Sequence, residues 1–239
     1  MDIINANIEN LTDLWRYAGQ KAGITDTFAN YEWSYVKGSD WPNRLWYEGI
    51  IDQELLRNSY LKQLTIPIWG IYQAQNEENL RHIGFDLKST QYGMSYSIDK
   101  KIISTASVEL IPVLSINAAE IWANLFEMSF GYSISQKTIV RTMDKIQYFI
   151  AYHKRRVIGT AVLYFEKKEI AGIHSMGIIP EMRRKGFAKQ MLQQALFIAQ
   201  KLEATHATLQ ASDMGRELYR QTGFKEDFII KNFIQLNSN

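Results

Sequence analysis

The run Met176-Gly177-Ile178-Ile179-Pro180-Glu181-Met182-Arg183-Arg184-Lys185-Gly186-Phe187-Ala188-Lys189 sets four cations and a glycine where an apolar, β-rich stretch gives way to an amphipathic one. A tight loop that opens a helix turns backbone N–H groups outward at the positive end of the helix dipole, a general solution for binding phosphate. Gly186 and Ala188 are small enough to let a bulky pyrophosphate approach the backbone, and Arg183, Arg184, Lys185 and Lys189 surround it with positive charge. Taken alone, a basic helix start of this kind reads equally well as a solvated turn.

Other familiar chemistries lack their residues. No two of the fourteen glycines are separated by a single residue, so the paired-glycine core of a dinucleotide fingerprint is missing. No glycine is followed by Lys-Ser or Lys-Thr, and the only glycines four apart, Gly19 and Gly23, flank Lys21 rather than a nucleophilic serine. His82, His153, His174 and His206 show no zincin spacing, and no metal is expected. The chain has no cysteine, which excludes disulfides, thiolate metal sites and a cysteine nucleophile. A net charge of +2, from 27 Lys and Arg against 25 Asp and Glu, is far from the basic excess that tracks nucleic-acid backbones. No run of about 18 apolar residues spans a membrane. Asp2, Glu9 and Asp13 interrupt the first residues, which read as neither leader nor anchor, so a cytoplasmic protein without nucleic-acid or membrane partners is expected.

The elements that must hold the loop are legible in the second half. Residues 108–113 read as a strand and residues 117–130 as a helix with Ile121, Leu125 and Met128 on one face. The runs 147–152 and 157–165, parted by His153-Lys154-Arg155-Arg156, form a hairpin signature, and residues 170–179 add a third antiparallel strand that Pro180 ends. Phe187, Met191, Ala195, Ile198 and Leu202 predict a long helix over about residues 184–204. A strand at 207–211, a helix at 214–222 and one or two closing strands at 224–236 follow.

An arginine, two residues, a glycine, one residue and an alanine, set after Ile-Ile-Pro, resemble the acyl-CoA pyrophosphate loop of the GCN5-related N-acetyltransferases. The downstream block Leu209-Gln210-Ala211-Ser212-Asp213-Met214-Gly215-Arg216-Glu217-Leu218-Tyr219-Arg220-Gln221-Thr222-Gly223-Phe224 is similar to the strand, helix and Gly-Phe start that follow the long helix in that family. The resemblance covers about residues 105–239. It implies an α/β (α+β) fold, with a mixed, mostly antiparallel sheet flanked by helices. It also implies acetyl-CoA as cosubstrate and an N-acyltransferase that works by direct attack of a primary amine in a ternary complex. By the same resemblance the backbone of Met176, Gly177 and Ile178 pairs with the pantetheine arm, and Arg183, Arg184, Lys185, Gly186, Phe187, Ala188 and Lys189 hold the pyrophosphate. Tyr219 corresponds to the family tyrosine that contacts the cofactor and protonates the departing thiolate. A phenol of pKa about 10 suits a thiolate whose conjugate acid has pKa about 8.5. The plainer alternative for Tyr219 is packing against the sheet. Ser212 stands at a cofactor-contacting position where many members have asparagine.

The attacking amine must be unprotonated, which calls for a base or a water chain leading to one. Some members carry a histidine at the position of His174, whose ordinary pKa of about 6.5 fits the task, although a lone strand histidine is more often structural. Glu169 is a weaker candidate. The Ile178 N–H is the expected donor to the tetrahedral oxyanion. The acceptor, a small-molecule or peptide amine, is not readable, and a homodimer is left open. A non-catalytic acyl-CoA-binding protein, or an interaction module on the same fold, stands as the alternative.

Up to residue 106, the end of the polar stretch 99–106 read as a linker, lie ten basic and thirteen acidic residues; seventeen basic and twelve acidic residues follow. Two domains are expected, 1–104 and 105–239. Within the first, the order strand at 64–72, helix at 76–83, Gly84-Phe85 and an alternating run to Ile98 repeats the order of residues 207–236. Setting Gly84 on Gly223 puts Leu80 opposite Tyr219, as in a degenerate half-copy without a phosphate loop. Trp15, Trp33, Trp41, Trp46 and Trp69 fill a small core or line an aromatic wall around a cationic amine.

Overall fold

Alternating apolar runs bounded by turn residues form strands in the computed structural model, which describes residues 1–56, 63–103 and 107–235. The linker residues 104–106 and the expected last strand residue, Leu236, lie outside the described residues. The three consecutive strands read from the sequence are β7 (Gln147–His153), β8 (Arg156–Tyr164) and β9 (Ile170–Ile178), each antiparallel to the next. The turn between β7 and β8 places Lys154 and Arg155 at positive φ, 49° and 63°, as a tight hairpin of matching twist requires. Around them run β6 (Val108–Pro112), α4 (Ile116–Phe130), α5 (Gln136–Thr142), α6 (Phe187–Lys201), β10 (His206–Ser212), α7 (Asp213–Thr222) and β11 (Lys225–Gln235). Ser115 caps α4 by accepting from the Ala118 N–H, and Gly131, left-handed at φ 75°, ends it.

The first hundred residues contribute α1 (Ile3–Ala22), β1 (Ile24–Thr27), β2 (Tyr31–Tyr35), β3 (Arg44–Tyr47), α2 (Gln53–Leu56), β4 (Ile66–Ile68), α3 (Gln73–His82) and β5 (Phe85–Ser97). Asp2 caps α1 through the N–H groups of Ile4 and Asn5. Leu11, Leu14, Trp15 and Ala18 then bury one face of α1 at spacings of three and four. Strands β1, β2 and β3 make a small antiparallel sheet.

The large sheet has the order β4-β11-β5-β10-β9-β8-β7-β6, and only the β9–β10 pair is parallel. Strand β5 comes from before the expected boundary at 104 yet lies between β10 and β11. One core accordingly joins Leu11, Leu14, Trp15, Trp41 and Trp46 to residues of the second half. Pro67 sits in β4, an edge strand, where its missing N–H costs no ladder bond.

The units β4–α3–β5 and β10–α7–β11 repeat one design. Gly84 and Gly223, both left-handed at φ 84° and 103°, end their helices and hand over to the buried Phe85 and Phe224. Leu80 and Tyr219 occupy matching, buried helix positions. Each unit's second strand lies beside the first strand of the other, since β5 borders β10 and β11 borders β4. At the middle of the β5–β11 ladder Gln91 pairs with Ile230, its own counterpart when Gly84 is set on Gly223.

Candidate active site

The parallel β9–β10 pairing is brief. Ile170, Ala171 and Gly172 meet His206, Ala207 and Thr208, and beyond them the strands part. β10 goes on beside β5 as far as the Ser212–Gln91 pair, and β9 goes on beside β8 as far as the Ile178–Gly159 pair. A V-shaped gap therefore opens toward the C-terminal ends of β9 and β10, with unpaired backbone along each side. Ser175, at φ 48°, marks a bulge on β9: Val162 faces His174 while Thr160 already faces Gly177. The Ile179 N–H donates to the Ile158 carbonyl at 3.0 Å. By strand alternation the N–H of Ile178 points the other way, into the gap. Met176, Gly177 and Ile178 thus form the open edge, which accepts an added strand by main-chain pairing.

Directly after this edge the chain makes a 3-10 turn (Pro180–Met182) and enters α6 at Gly186. Arg184 and Gly186 are left-handed, at φ 59° and 76°, and curl the backbone around Lys185. A Cβ at Gly186 would meet nothing within 4 Å, so glycine is required there by conformation and leaves open space over the helix mouth. No side chain caps α6, whose first N–H groups face that space. The helix begins three residues later than the periodicity predicted, because the two left-handed residues delay it. Phe187 is buried against His153, 4.6 Å between ring centroids, and fixes the start of α6. Ala188 is half-buried beside it, and Lys189 is exposed.

The basic side chains divide. The Arg183 guanidinium donates to the carbonyls of Ile178 (3.0 Å) and Ser129 (2.8 Å), bracing β9 against the end of α4 rather than facing outward. The Lys185 ammonium folds back onto the Glu181 carbonyl at 2.8 Å. Arg184 and Lys189 are exposed and make no contact with other side chains.

Across the gap, Ser212 accepts from the Gly215 N–H at 3.3 Å and caps α7, so its hydroxyl is occupied by the helix start. The Tyr219 ring is buried edge-on to Phe224 at 5.7 Å, over Gly215, and its hydroxyl has no partner among the described residues. Burial pushes the phenol pKa up, so Tyr219 keeps its proton through the neutral range.

The expectation of a base at His174 is corrected. His174 faces α1, where its Nε2 lies 3.0 Å from Asn10 Oδ1 and its ring also meets Gln210. Asn10 donates through Nδ2 to the Tyr164 carbonyl at 3.0 Å, so its Oδ1 is the acceptor and the Nε2 of His174 carries the proton. Burial pushes the imidazole pKa down to about 4, which makes it neutral and a poor match for an ammonium. Gly172 is what admits Asn10, because a Cβ there would stand 1.9 Å from Asn10 Oδ1. Glu169 lies before β9, at the end opposite the gap, where its carbonyl accepts from the N–H groups of Thr205 and His206.

Two features of the site escaped the sequence reading. The Phe130 ring packs on Gly177, where a Cβ would meet it at 2.6 Å, and Tyr132 closes on Phe130 and Phe126. The loop between β2 and β3 docks beside them, with the Asp40 carboxylate accepting from the N–H (2.8 Å) and Oγ (2.9 Å) of Ser133. The helix-stopping Gly131 after an aromatic run was the available signal; the docking from residue 40 had none. The tryptophans serve mainly as filling: Trp15, Trp41 and Trp46 are buried in the main core, Trp69 packs on its margin, and Trp33 packs on a second cluster around Leu45, Leu64 and Phe85.

Residues 144–226 match the family model described as an acetyltransferase (GNAT) domain. The match lies within the second half and covers about a third of the chain. The fold recurs in a GCN5-related N-acetyltransferase from Kribbella flavida, 14% identical, with a TM-score of 0.68 over 97% of this chain and 93% of that one. It recurs in an acetyltransferase of the GNAT family from Novosphingobium aromaticivorans, 9% identical, TM-score 0.61, over 97% and 96% of the two chains. A conserved protein of unknown function from Staphylococcus epidermidis, 12% identical, gives a TM-score of 0.64 over 88% and 92%. No curated protein matches by sequence. No helix of the described residues is long and apolar enough to cross a membrane.

Proposed function

We propose that this protein transfers an acetyl or other short acyl group from acyl-CoA to a primary amine within a ternary complex. One observation carries the reading: the unpaired edge Met176–Ile178 of β9 runs straight into the uncapped, glycine-opened mouth of α6. A pantetheine arm completes such an edge as an added strand, and a pyrophosphate matches the N–H groups and positive end of the helix. Arg184 and Lys189 add charge there, while Arg183 shapes the loop. The amine nitrogen attacks the thioester carbonyl, the oxyanion receives the Ile178 N–H, and the C–S bond breaks. Tyr219 gives its proton to the leaving thiolate and regains one from water; the nitrogen releases its own proton to water. The cytoplasm remains the expected location.

A second reading, an acyl-CoA-binding protein without turnover, draws on His174 and Glu169 both lying away from the gap. Thiol release from acetyl-CoA over a panel of amines, together with calorimetric titration by CoA, tests the proposal. Binding with release supports the enzyme, binding without release supports the second reading, and no binding at millimolar CoA overturns both.

A further inference from the structure

Beside the open end of β9 the structure holds positive charge that the protein does not neutralise. Arg44, half-buried at the start of β3, donates through one terminal nitrogen, Nη1, to the carbonyls of Pro42 (3.1 Å) and Asn43 (3.2 Å). Its Nε is buried with no partner, and among the described residues its Nη2 bonds to no atom and no carboxylate pairs with it. Nη2, which is not sealed off as Nε is, is the nitrogen that can donate a charge-assisted bond to an incoming carboxylate. Trp15 lies against the group, 5.9 Å from ring centroid to Cζ, and burial lowers the Arg44 pKa. A charge held this way is costly unless an anion answers it.

A second cation faces the first. Lys88 makes no ion pair, and its ammonium pKa is lowered by burial and by the Arg44 charge. The carboxylate near Lys88, Asp40, is held by the N–H and hydroxyl of Ser133. Tyr132 lies within reach of the Arg44 charge and is uncharged at neutral pH, its own pKa raised by burial.

These groups stand where an acceptor must lie. Lys88 is the bulge residue between Leu87 and Ser89 of β5, past the last β10–β5 pair, and therefore beyond the end of β10 at which the gap opens. The loop that leads into Arg44 is docked by Asp40 on Ser133, next to Tyr132; Tyr132 packs on Phe130, and Phe130 covers Gly177 on the open edge.

We propose that the amine acceptor also carries a carboxylate, bound by Arg44 with Lys88 beside it, so that the substrate is amino-acid-like. This rests on the acyltransferase reading and narrows its acceptor.

The test sets the twenty amino acids against their carboxamides, with acetyl-CoA as donor and thiol release as readout. At least one free acid should exceed its amide by about tenfold in kcat/KM, the scale of one charge-assisted contact. In Arg44→Gln that ratio should fall to about two, through KM, and Arg44→Lys should keep part of it. Lys88→Ala, at an exposed position, reads the same ratio without disturbing the β3 turn and should lower it about threefold. Amides turned over as well as acids, or a preference that survives Arg44→Gln and Lys88→Ala, overturns the inference. Thermal shift with the same compounds reads binding without turnover. If CoA binds and no free acid stabilises the wild type, the carboxylate site is rejected while the CoA reading stands. If acids stabilise the wild type but not Arg44→Gln and CoA does not bind, the anion site stands and the acyltransferase reading fails.

Discussion

His174 Nε2 and Asn10 Oδ1 lie 3.0 Å apart, joining β9 to α1 beneath the gap with a neutral imidazole. The folded pKa of about 4 is below the unfolded value of about 6.5. Between these values the unfolded chain binds more protons, so stability from this residue is intact above about pH 6.5 and falls as the pH drops toward 4. The loss is about 3 kcal/mol by that shift. Chemical denaturation from pH 7 to 4 should show the slope in the wild type and a shallower one in His174→Gln. If His174 were the base, its replacement would also remove the acid limb of the pH–rate profile; that limb should persist.

Tyr219→Phe removes a hydroxyl that has no hydrogen-bond partner among the described residues. Turnover should fall at least about tenfold, short of the usual hundredfold or more for a lost general acid because the thiolate can still take its proton from water. Calorimetric CoA affinity and the melting temperature should both stay close to wild type. A Phe variant with undiminished kcat would leave Tyr219 as packing.

Gly186 is glycine for its left-handed φ of 76° rather than for want of space. Gly186→Ala should cost about 1 kcal/mol of stability and weaken CoA modestly. Gly186→Glu adds a carboxylate at the mouth of α6 and should weaken CoA more than about tenfold. Equal CoA affinity in the two variants would mean that the phosphate does not lie over this turn.

The basic residues of the loop should separate by salt. Arg184→Ala and Lys189→Ala are expected to weaken CoA mostly at low ionic strength, since exposed charges are screened. Arg183→Ala instead frees the carbonyls of Ile178 and Ser129 and should lower stability by about 1 kcal/mol, with a CoA effect that salt hardly changes.

Residues 107–239 expressed alone should not fold. Without β5, strands β10 and β11 lose the neighbour they share, and Met94 leaves the core. Circular dichroism and denaturation of that fragment, alone and mixed with residues 1–103, check this. A cooperative transition in the isolated fragment would disprove it.

The second half was legible because its signals are local. Pro180 ends β9, Gly186 opens α6, and the spacing from Phe187 to Leu202 shows the helix within a few residues. What stayed hidden depends on distant partners. Nothing near Asn10 in sequence announces that it meets His174, and the face of His174 is fixed by α1, itself unread although Asp2 and the Leu11–Ala18 spacing mark it. Arg183 resembled its basic neighbours because the carbonyls it holds carry no side-chain identity. Arg44 lies within a turn of apolar and aromatic residues, and its nearness to Tyr132 and Lys88 exists only once three distant segments have folded together.

The exchange of strands also sets an order in time. β11 follows every other described strand in the chain, yet it lies inside the sheet with β4 and β5 on either side. While the chain is being synthesised, β4 has no neighbour in the large sheet and one edge of β5 stays open until residues 225–235 leave the ribosome. The aromatic-rich first half must therefore wait, partly unsheltered, until β11 has emerged.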